Sequence, residues 1–302
     1  MWFQLEKDLR IEATRQIRDF ERYRRHVRDE NRRRSRRSAI APNHLEVRPP
    51  SAWIVDRGFD PYHVRSRAAT ISHAVTQALK AGTYSPHQPA RLDIPKGNGD
   101  FRTVCTFACV DSVVSARLYR NLLARNRPLL SSRSYAYRSD LGPHDAIMHV
   151  KSEWRLERRV FVAEFDFTKF FDRISHDYVW ETIEDLGLMI TPLERKVLQA
   201  FMSAPEPTPP GAIPNSSPDP RTVGLPQGTS ISLLVANLVA TPLDRALERL
   251  GVGFVRYADD TLIWSRSYSA VCEAVDQLHA SARWIGSEIN SEKSEGVRLL
   301  VP

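Results

Sequence analysis

Two adjacent aspartates, Asp259 and Asp260, lie between two short apolar segments at 254–257 and 261–265. This pattern predicts a β-hairpin that carries both carboxylates at its turn. Neighbouring carboxylates repel each other, and a divalent cation relieves that repulsion. The pair therefore indicates either an ordinary Asp-Asp turn or part of a metal site.

A third carboxylate, Asp166, follows the segment 160–165, which is apolar on both faces and predicts a buried central strand. If this strand lies beside the hairpin, Asp166, Asp259 and Asp260 converge at one edge of a sheet. Three such carboxylates suit two Mg²⁺ ions about 3.5–4 Å apart, with Mn²⁺ as an alternative. One ion would activate an attacking hydroxyl and the other would stabilise a leaving pyrophosphate, as in-line phosphoryl transfer requires.

The elements that must position these residues are helices and strands without regular βαβ alternation, which predicts an α+β fold. Seven prolines between 205 and 220 predict that residues 203–223 form an extended surface loop. The predicted helices cover 3–37, 62–81, 111–125, 144–158, 176–186, 192–202, 229–250 and 268–285, and the other predicted strands cover 92–95, 101–105 and 296–301.

The charge of the chain is concentrated in its first residues. The 302 residues carry a net charge of +7, and residues 1–38 hold 13 basic and 7 acidic side chains. A basic arm on a nearly neutral body indicates a polyanionic partner, most simply a nucleic acid, although a solvated basic helix has the same composition. The candidate phosphate contacts are Arg15, Arg18, Arg22, Arg25, Arg32, Arg33, Arg34, Arg36 and Arg37.

The amino-acid composition restricts both the class of protein and the cellular compartment that the sequence predicts. Apolar residues make up 42% and charged residues 26%, which excludes wholesale disorder. The three cysteines form no CxxC motif, so a reducing cytoplasm is expected and a zinc site is not. The longest apolar runs, such as 231–240, are too short to span a bilayer, and no membrane association is expected.

Six motifs of this chain resemble, in the same order, those of bacterial reverse transcriptases. They are the fingers hairpin at 92–102, the Tyr-Gly-Phe-Arg block at 134–147, the first palm motif at 166–172, the Pro-Gln-Gly motif with its following helix at 224–238, the catalytic Tyr-Ala-Asp-Asp at 257–260 and the Gly-x-x-x-Asn-x-x-Lys motif at 286–293. Together they span residues 92–293, and the resemblance implies an RNA-directed DNA polymerase.

The resemblance also implies a right-hand architecture with a ferredoxin-like palm sheet. Its expected parts are an Arg-rich helical extension at 1–50, fingers at 51–158 and a palm at 159–302, with the Pro-rich insertion at 203–223. Two departures from the family pattern are mild: Ser232-Leu233 replaces Ser-Pro, and Ala136 replaces glycine. A third is larger, because no thumb is recognisable after Lys293.

The family's functional residues carry over to matching positions. The metal ligands would be Asp166, Phe167, Asp259 and Asp260, of which the three aspartates would be catalytic. Lys293 would protonate the leaving pyrophosphate, although a surface lysine there would be unremarkable. Phe171 would exclude a ribose 2′-OH, unless it is only a core residue. The remaining contacts to the nucleotide would come from Lys96, Arg102, Gln227 and Tyr257.

Three functions are compatible with these residues. The first is an RNA-directed DNA polymerase that uses dNTPs and an RNA template to make DNA, working with a noncoding RNA in anti-phage defence. The second is a catalytically idle, polymerase-like subunit that binds RNA within a larger ribonucleoprotein. The third, an RNA-binding helix fused to an unrelated enzyme, is disfavoured by the order of the motifs.

The apolar residues of the first helix bear on assembly. Leu5, Leu9 and Phe20 recur close to helical spacing, with Ile17 between them, and they need a surface to pack against. With no evident place in the palm, they predict a homo-oligomer or a complex with RNA and a second protein. The alternative is a monomer whose first helix folds back over its own fingers.

Overall fold

The computed structural model describes residues 4–37, 43–97, 99–155, 157–209, 211–212, 219–290 and 294–301. The chain divides into two compact units. The first comprises residues 1–117 and 193–220, and the second comprises residues 118–192 and 221–302. The predicted boundaries of extension, fingers and palm stay predictions.

The helices and strands alternate irregularly, as the sequence predicts. The first half contains α1 (Leu5–Arg37), α2 (Pro61–Ser66), α3 (Ala68–Ala81), β1 (Ala90–Pro95), β2 (Phe101–Thr106), α4 (Cys109–Asn126) and α5 (Pro143–Trp154). The second half contains β3 (Val160–Phe165), β4 (Phe167–Thr168), α6 (Phe170–Arg173), α7 (His176–Asp185), α8 (Pro192–Met202), α9 (Ser230–Leu250), β5 (Gly253–Tyr257), β6 (Asp260–Ser265), α10 (Tyr268–Ile285), β7 (Glu288–Ile289) and β8 (Glu295–Leu300). The predicted α+β class is confirmed.

Helix α1 packs against α2 and α3 within the first unit. Leu5, Leu9 and Ala13 on its inner side are at most 1% exposed, and the Arg10 guanidinium donates to the carbonyl of Arg65 at 3.1 Å. Because the apolar side is covered by the same chain, the predicted packing of this side against another subunit is not observed, and the alternative of a first helix folded back on its own chain is. The oligomer that rested on this side loses that support.

Part of the Pro-rich stretch also packs on its own chain. The Arg91 N–H donates to the Thr208 carbonyl at 2.8 Å, and the Thr208 N–H donates to the Pro89 carbonyl at 2.7 Å. Thr208 is buried beside β1, so this part is not the surface loop that the prolines predict. Residues 210 and 213–218 of the stretch lie outside the described residues.

The second unit is built on a four-stranded antiparallel sheet in the order β5-β6-β3-β8. On one face Phe161 meets Tyr268 of α10, and Phe165 meets His279 of the same helix. On the other face Val162 and Trp264 form a core with Trp154 of α5. The strand β3 is therefore covered on both faces, and its predicted central position is confirmed.

Helix α9 lies inside the second unit. By length and composition alone the whole helix, Ser230–Leu250, is long and apolar enough to cross a membrane, whereas the apolar run 231–240 within it is too short for this. However, 72% of its most apolar window is buried within the protein. The helix is accordingly a core element, and it supplies polar side chains to the site described next.

Candidate active site

The turn that carries Asp259 and Asp260 is a tight hairpin between β5 and β6. Tyr257 pairs with Asp260, which leaves Ala258 and Asp259 as the two turn residues. Ala258 has a left-handed backbone with φ of +60°, a conformation that non-glycine residues adopt in few places. Ala258 is buried, Asp259 is half-buried, and Tyr257 and Asp260 are exposed. The predicted hairpin is confirmed.

Asp166 reaches the same edge of the sheet. In the antiparallel register of β3 and β6, Phe165 lies opposite Thr261. Asp166 follows Phe165 and Asp260 precedes Thr261, so the next position of the register brings these two aspartates to the end of the sheet that holds the turn. The strand order thus supplies the juxtaposition on which the predicted carboxylate cluster depends.

Asn290 fixes Asp166 from a third direction. Its backbone N–H donates to the Asp166 carbonyl at 2.8 Å, and its side-chain amide donates to Asp166 Oδ2 at 3.3 Å. The neighbouring residues also pair. Phe167, which follows Asp166, lies opposite Ile289, which precedes Asn290, in the short β4–β7 ladder. Asn290 belongs to the Gly-x-x-x-Asn motif, and sequence reasoning gave it no role of its own.

The donors at this edge are suited to a hard cation. Carboxylate oxygens are the ligands that Mg²⁺ and similar divalent ions prefer. Among the described residues, however, no three His, Cys, Asp or Glu side chains are grouped as a metal centre. Phe167 packs its buried ring on Phe170, so any ligand it supplies is its backbone carbonyl. The chemistry of the donors fits the predicted ions, and the assignment of individual ligands stays a prediction.

A close backbone contact at Gly224 holds the segment that carries Gln227 against the segment that carries Phe171. Gly224 has φ of +81°, and a Cβ there would lie 2.6 Å from the Asp172 carbonyl oxygen, so no other residue fits. The Leu225 N–H donates to the Phe171 carbonyl at 2.6 Å, and the Gln227 amide donates to Asp172 Oδ1 at 3.0 Å. The Pro-Gln-Gly motif is thereby anchored to the residues that follow Asp166.

The ring of Phe171 is buried between other aromatic rings. Its centroid lies 6.3 Å from that of Tyr137 and 5.9 Å from that of Phe170, in edge-to-face arrangements. This packing is compatible with a gate against the ribose 2′-OH and with a core residue. The role of Phe171 stays a prediction.

A buried arginine, Arg256, ties the aspartate turn to helix α9. Its guanidinium forms a forked pair with Asp244 at 2.7 and 2.6 Å, and both side chains are at most 1% exposed. The remaining donors reach three further oxygens: Asn237 Oδ1 at 3.1 Å, Ser134 Oγ at 2.9 Å and the Ala258 carbonyl at 3.0 Å. We call these five residues, Ser134, Asn237, Asp244, Arg256 and Ala258, the Arg256 cluster.

The Arg256 cluster was missed at the sequence level. A signal was present, because an arginine in an apolar strand must find partners when the strand is buried. Complete burial raises the pKa of the Asp244 carboxyl above its ordinary value, and the adjacent Arg256 opposes that rise. Since the contact to Ala258 ends on the aspartate turn itself, the cluster positions the turn.

The residues predicted to contact the triphosphate, Lys96 and Arg102, lie on a different sheet from the aspartates. Lys96 and Arg102 are exposed on the β1–β2 hairpin of the first unit, where Ile94 pairs with Arg102 and the Lys96 N–H donates to the Asp100 carbonyl at 2.7 Å. Lys293 lies outside the described residues.

Of the nine candidate arginines of α1, Arg34 is half-buried and the others are exposed. Arg34 and several of its neighbours also pair with acidic residues of the same helix.

Comparison with known proteins assigns the family. The family described as reverse transcriptase (RNA-dependent DNA polymerase) matches residues 94–299, more than half of the chain. The protein therefore belongs to the reverse transcriptase family. Enzymes of this family use divalent metal ions, in keeping with the oxygen donors at the sheet edge. The search of curated proteins finds no match.

Solved telomerase structures share the fold. Apo telomerase from Candida tropicalis, truncated from its C-terminal domain, aligns with a TM-score of 0.55 at 12% identity over 78% of this chain and 56% of that chain. Telomerase from Candida tropicalis in complex with a TWJ fragment of telomeric RNA aligns with a TM-score of 0.51 at 14% identity, over 78% of this chain and 45% of that chain. Telomerase from Candida albicans in complex with a TWJ fragment of telomeric RNA aligns with a TM-score of 0.50 at 12% identity, over 78% of this chain and 47% of that chain. This chain thus spans about half the length of the telomerases, and the likeness concerns the fold alone.

The Arg256 cluster leads to a prediction about stability. Arg256→Met leaves Asp244 buried without its partner, which should lower the free energy of unfolding by about 3–5 kcal/mol. The matched control is Arg266→Met, because Arg266 forms a similarly forked pair with Glu157 but is 77% exposed. Exposed pairs contribute at most about 1 kcal/mol. Urea unfolding followed by circular dichroism measures both, and equal losses would show that the buried pair does not hold this unit together.

Proposed function

We propose that the protein is an active RNA-directed DNA polymerase that adds dNTPs to a DNA strand on an RNA template. The observation that supports it best is the register of β3 and β6, which brings Asp166 and Asp260 to the edge that holds the Ala258–Asp259 turn. The carboxylates come from two segments of the chain, Asp166 from the end of β3 and Asp259 and Asp260 from the β5–β6 turn. They suit the binding of divalent ions, for which we propose Mg²⁺ with Mn²⁺ as a substitute.

Each part of the site has a proposed task. Bound metal ions would supply the activation of the attacking hydroxyl and the stabilisation of the leaving pyrophosphate. Asp166, Asp259 and Asp260 would hold them, with Asn290 orienting Asp166 through its hydrogen bonds. Gln227, held by Asp172, lies under the incoming nucleotide, and Phe171 faces its sugar. Tyr257 would contact the substrate, and Lys293 would protonate the leaving pyrophosphate.

The proposed partners are an RNA and the DNA product. The exposed arginines of α1 form a basic surface on a helix whose other side is packed on its own chain, and arginine pairs well with phosphate. The structurally similar telomerases of Candida tropicalis and Candida albicans form complexes with a fragment of telomeric RNA. We propose that the RNA is a noncoding RNA and that the setting is anti-phage defence in the bacterial cytoplasm.

The carboxylates provide the first test. Asp259→Asn combined with Asp260→Asn should reduce dNTP incorporation to background, because neutral amides no longer offset the charge of two divalent ions. The matched control is Asp276→Asn on the exposed side of α10, which should retain activity. Incorporation is measured on a primed RNA template with Mg²⁺ and single dNTPs, and thermal unfolding confirms that each variant is folded. Full activity in the double variant would contradict the proposal, and inactivity of the wild type would favour the idle RNA-binding subunit.

The basic surface of α1 provides the second test. Each phosphate contact to single-stranded RNA contributes about −0.7 to the slope of log K against log salt concentration. Arg18, Arg25, Arg32 and Arg36 are exposed, and replacing all four with Gln should make that slope shallower. The control replaces the same four with Lys, which preserves the charge and should preserve the slope. Fluorescence anisotropy with labelled RNA at several salt concentrations measures it. Identical slopes for the Gln and Lys variants would show that α1 does not bind the RNA.

A further inference from the structure

Tyr137 has an unusual backbone for its residue type. Its φ is +57°, and among the described residues the only other non-glycine residues with positive φ are Lys169 and Ala258, both within three residues of a proposed catalytic aspartate. This left-handed region is sparsely populated by bulky residues and persists only where the surroundings hold it. The contacts around Tyr137 are therefore informative about its purpose.

Three hydrogen-bonded groups hold this conformation. The Tyr119 hydroxyl donates to the Tyr137 carbonyl at 2.7 Å, and the Asn237 amide donates to the preceding Ala136 carbonyl at 2.7 Å. On the other side, the Arg138 guanidinium donates to the Ser131 carbonyl at 2.9 Å and to Asp140 Oδ2 at 2.9 Å. The backbone carbonyls at and before Tyr137 are thus held by hydrogen bonds, and so is the side chain of the following Arg138.

The ring of Tyr137 contacts the ring of Phe171. The two ring planes meet at 74° with centroids 6.3 Å apart, which is a favourable edge-to-face geometry. Phe170 packs on Phe171 at a second position, with an angle of 88°, and the Leu225 N–H fixes the Phe171 backbone. The Tyr137 ring thus reaches the Phe171 ring from a separate segment of the chain.

We propose that Tyr137 is a positioning residue for the selection of the nucleotide sugar. A side chain excludes a hydroxyl group by bulk only if it cannot rotate away, and Tyr137 prevents that rotation of Phe171. Discrimination between deoxyribonucleoside and ribonucleoside triphosphates then depends on both rings. This inference rests on the proposed polymerase function and adds to it a residue outside the motif that carries Phe171.

Four variants test the proposal. Tyr137→Gly removes the ring and suits the left-handed backbone, because glycine adopts positive φ without strain. Tyr137→Phe retains the ring, Phe171→Ala removes the proposed gate, and the fourth variant combines Tyr137→Gly with Phe171→Ala. The readout is kcat/KM for a dNTP divided by that for the matching rNTP. Because both substrates are measured on one preparation, the folded fraction cancels from this ratio.

We expect Tyr137→Phe to keep the wild-type ratio and Tyr137→Gly and Phe171→Ala each to lower it roughly tenfold or more. The double variant should be no less selective than Phe171→Ala alone, because both substitutions disable one gate. An unchanged ratio in Tyr137→Gly would overturn the proposal, as would an unchanged ratio in Phe171→Ala or additive effects in the double variant. Failure of the proposed function itself would be distinct, because the wild type would then incorporate neither substrate.

Discussion

The burial of one charged pair, Arg256 with Asp244, constrains how the elements of the second unit come together. Charges buried in a protein are tolerated only when their hydrogen-bonding groups are satisfied and well placed. The guanidinium meets this demand by donating to Asp244 and Asn237 of α9, to Ser134 and to the Ala258 carbonyl. Helix α9, the segment before α5 and the β5–β6 turn must therefore come together in one arrangement.

The same cluster connects the two halves of the proposed chemistry. Asn237 accepts from Arg256 with its oxygen and donates to the Ala136 carbonyl with its nitrogen. On one side Arg256 fixes the turn that carries the proposed metal ligands, and on the other Asn237 fixes the backbone beside Tyr137, whose ring contacts Phe171. Metal binding and sugar selection would thus share one rigid support, as a site that needs precise geometry requires.

The helices and strands whose formation depends on a local sequence pattern were predicted correctly. The apolar run of β3, the hairpin at Ala258 and the long helices α1, α9 and α10 were all predicted, because their periodicity and their Gly or Pro boundaries are local signals. The motifs likewise identified the family. The packing of α1 on its own chain, which the sequence offers only as the alternative, depends on contacts between distant residues. The division of residues 62–81 into two helices at Arg67 was not predicted. The two-residue strands β4 and β7 are too short to have a period, and the burial of Arg256 leaves only a weak trace in the sequence.

The most direct measurement is the position of bound metal. Crystals of the protein grown with a primed RNA template, an incoming dNTP and Mn²⁺ would locate the ion by its anomalous scattering. We expect anomalous density at the end of β3 and β6, at about 2.1 Å from carboxylate oxygens of Asp166 and Asp259, a distance typical of small octahedral cations. Nucleotide bound with no ion at this edge, or with the ion held by other residues, would contradict the proposed active site.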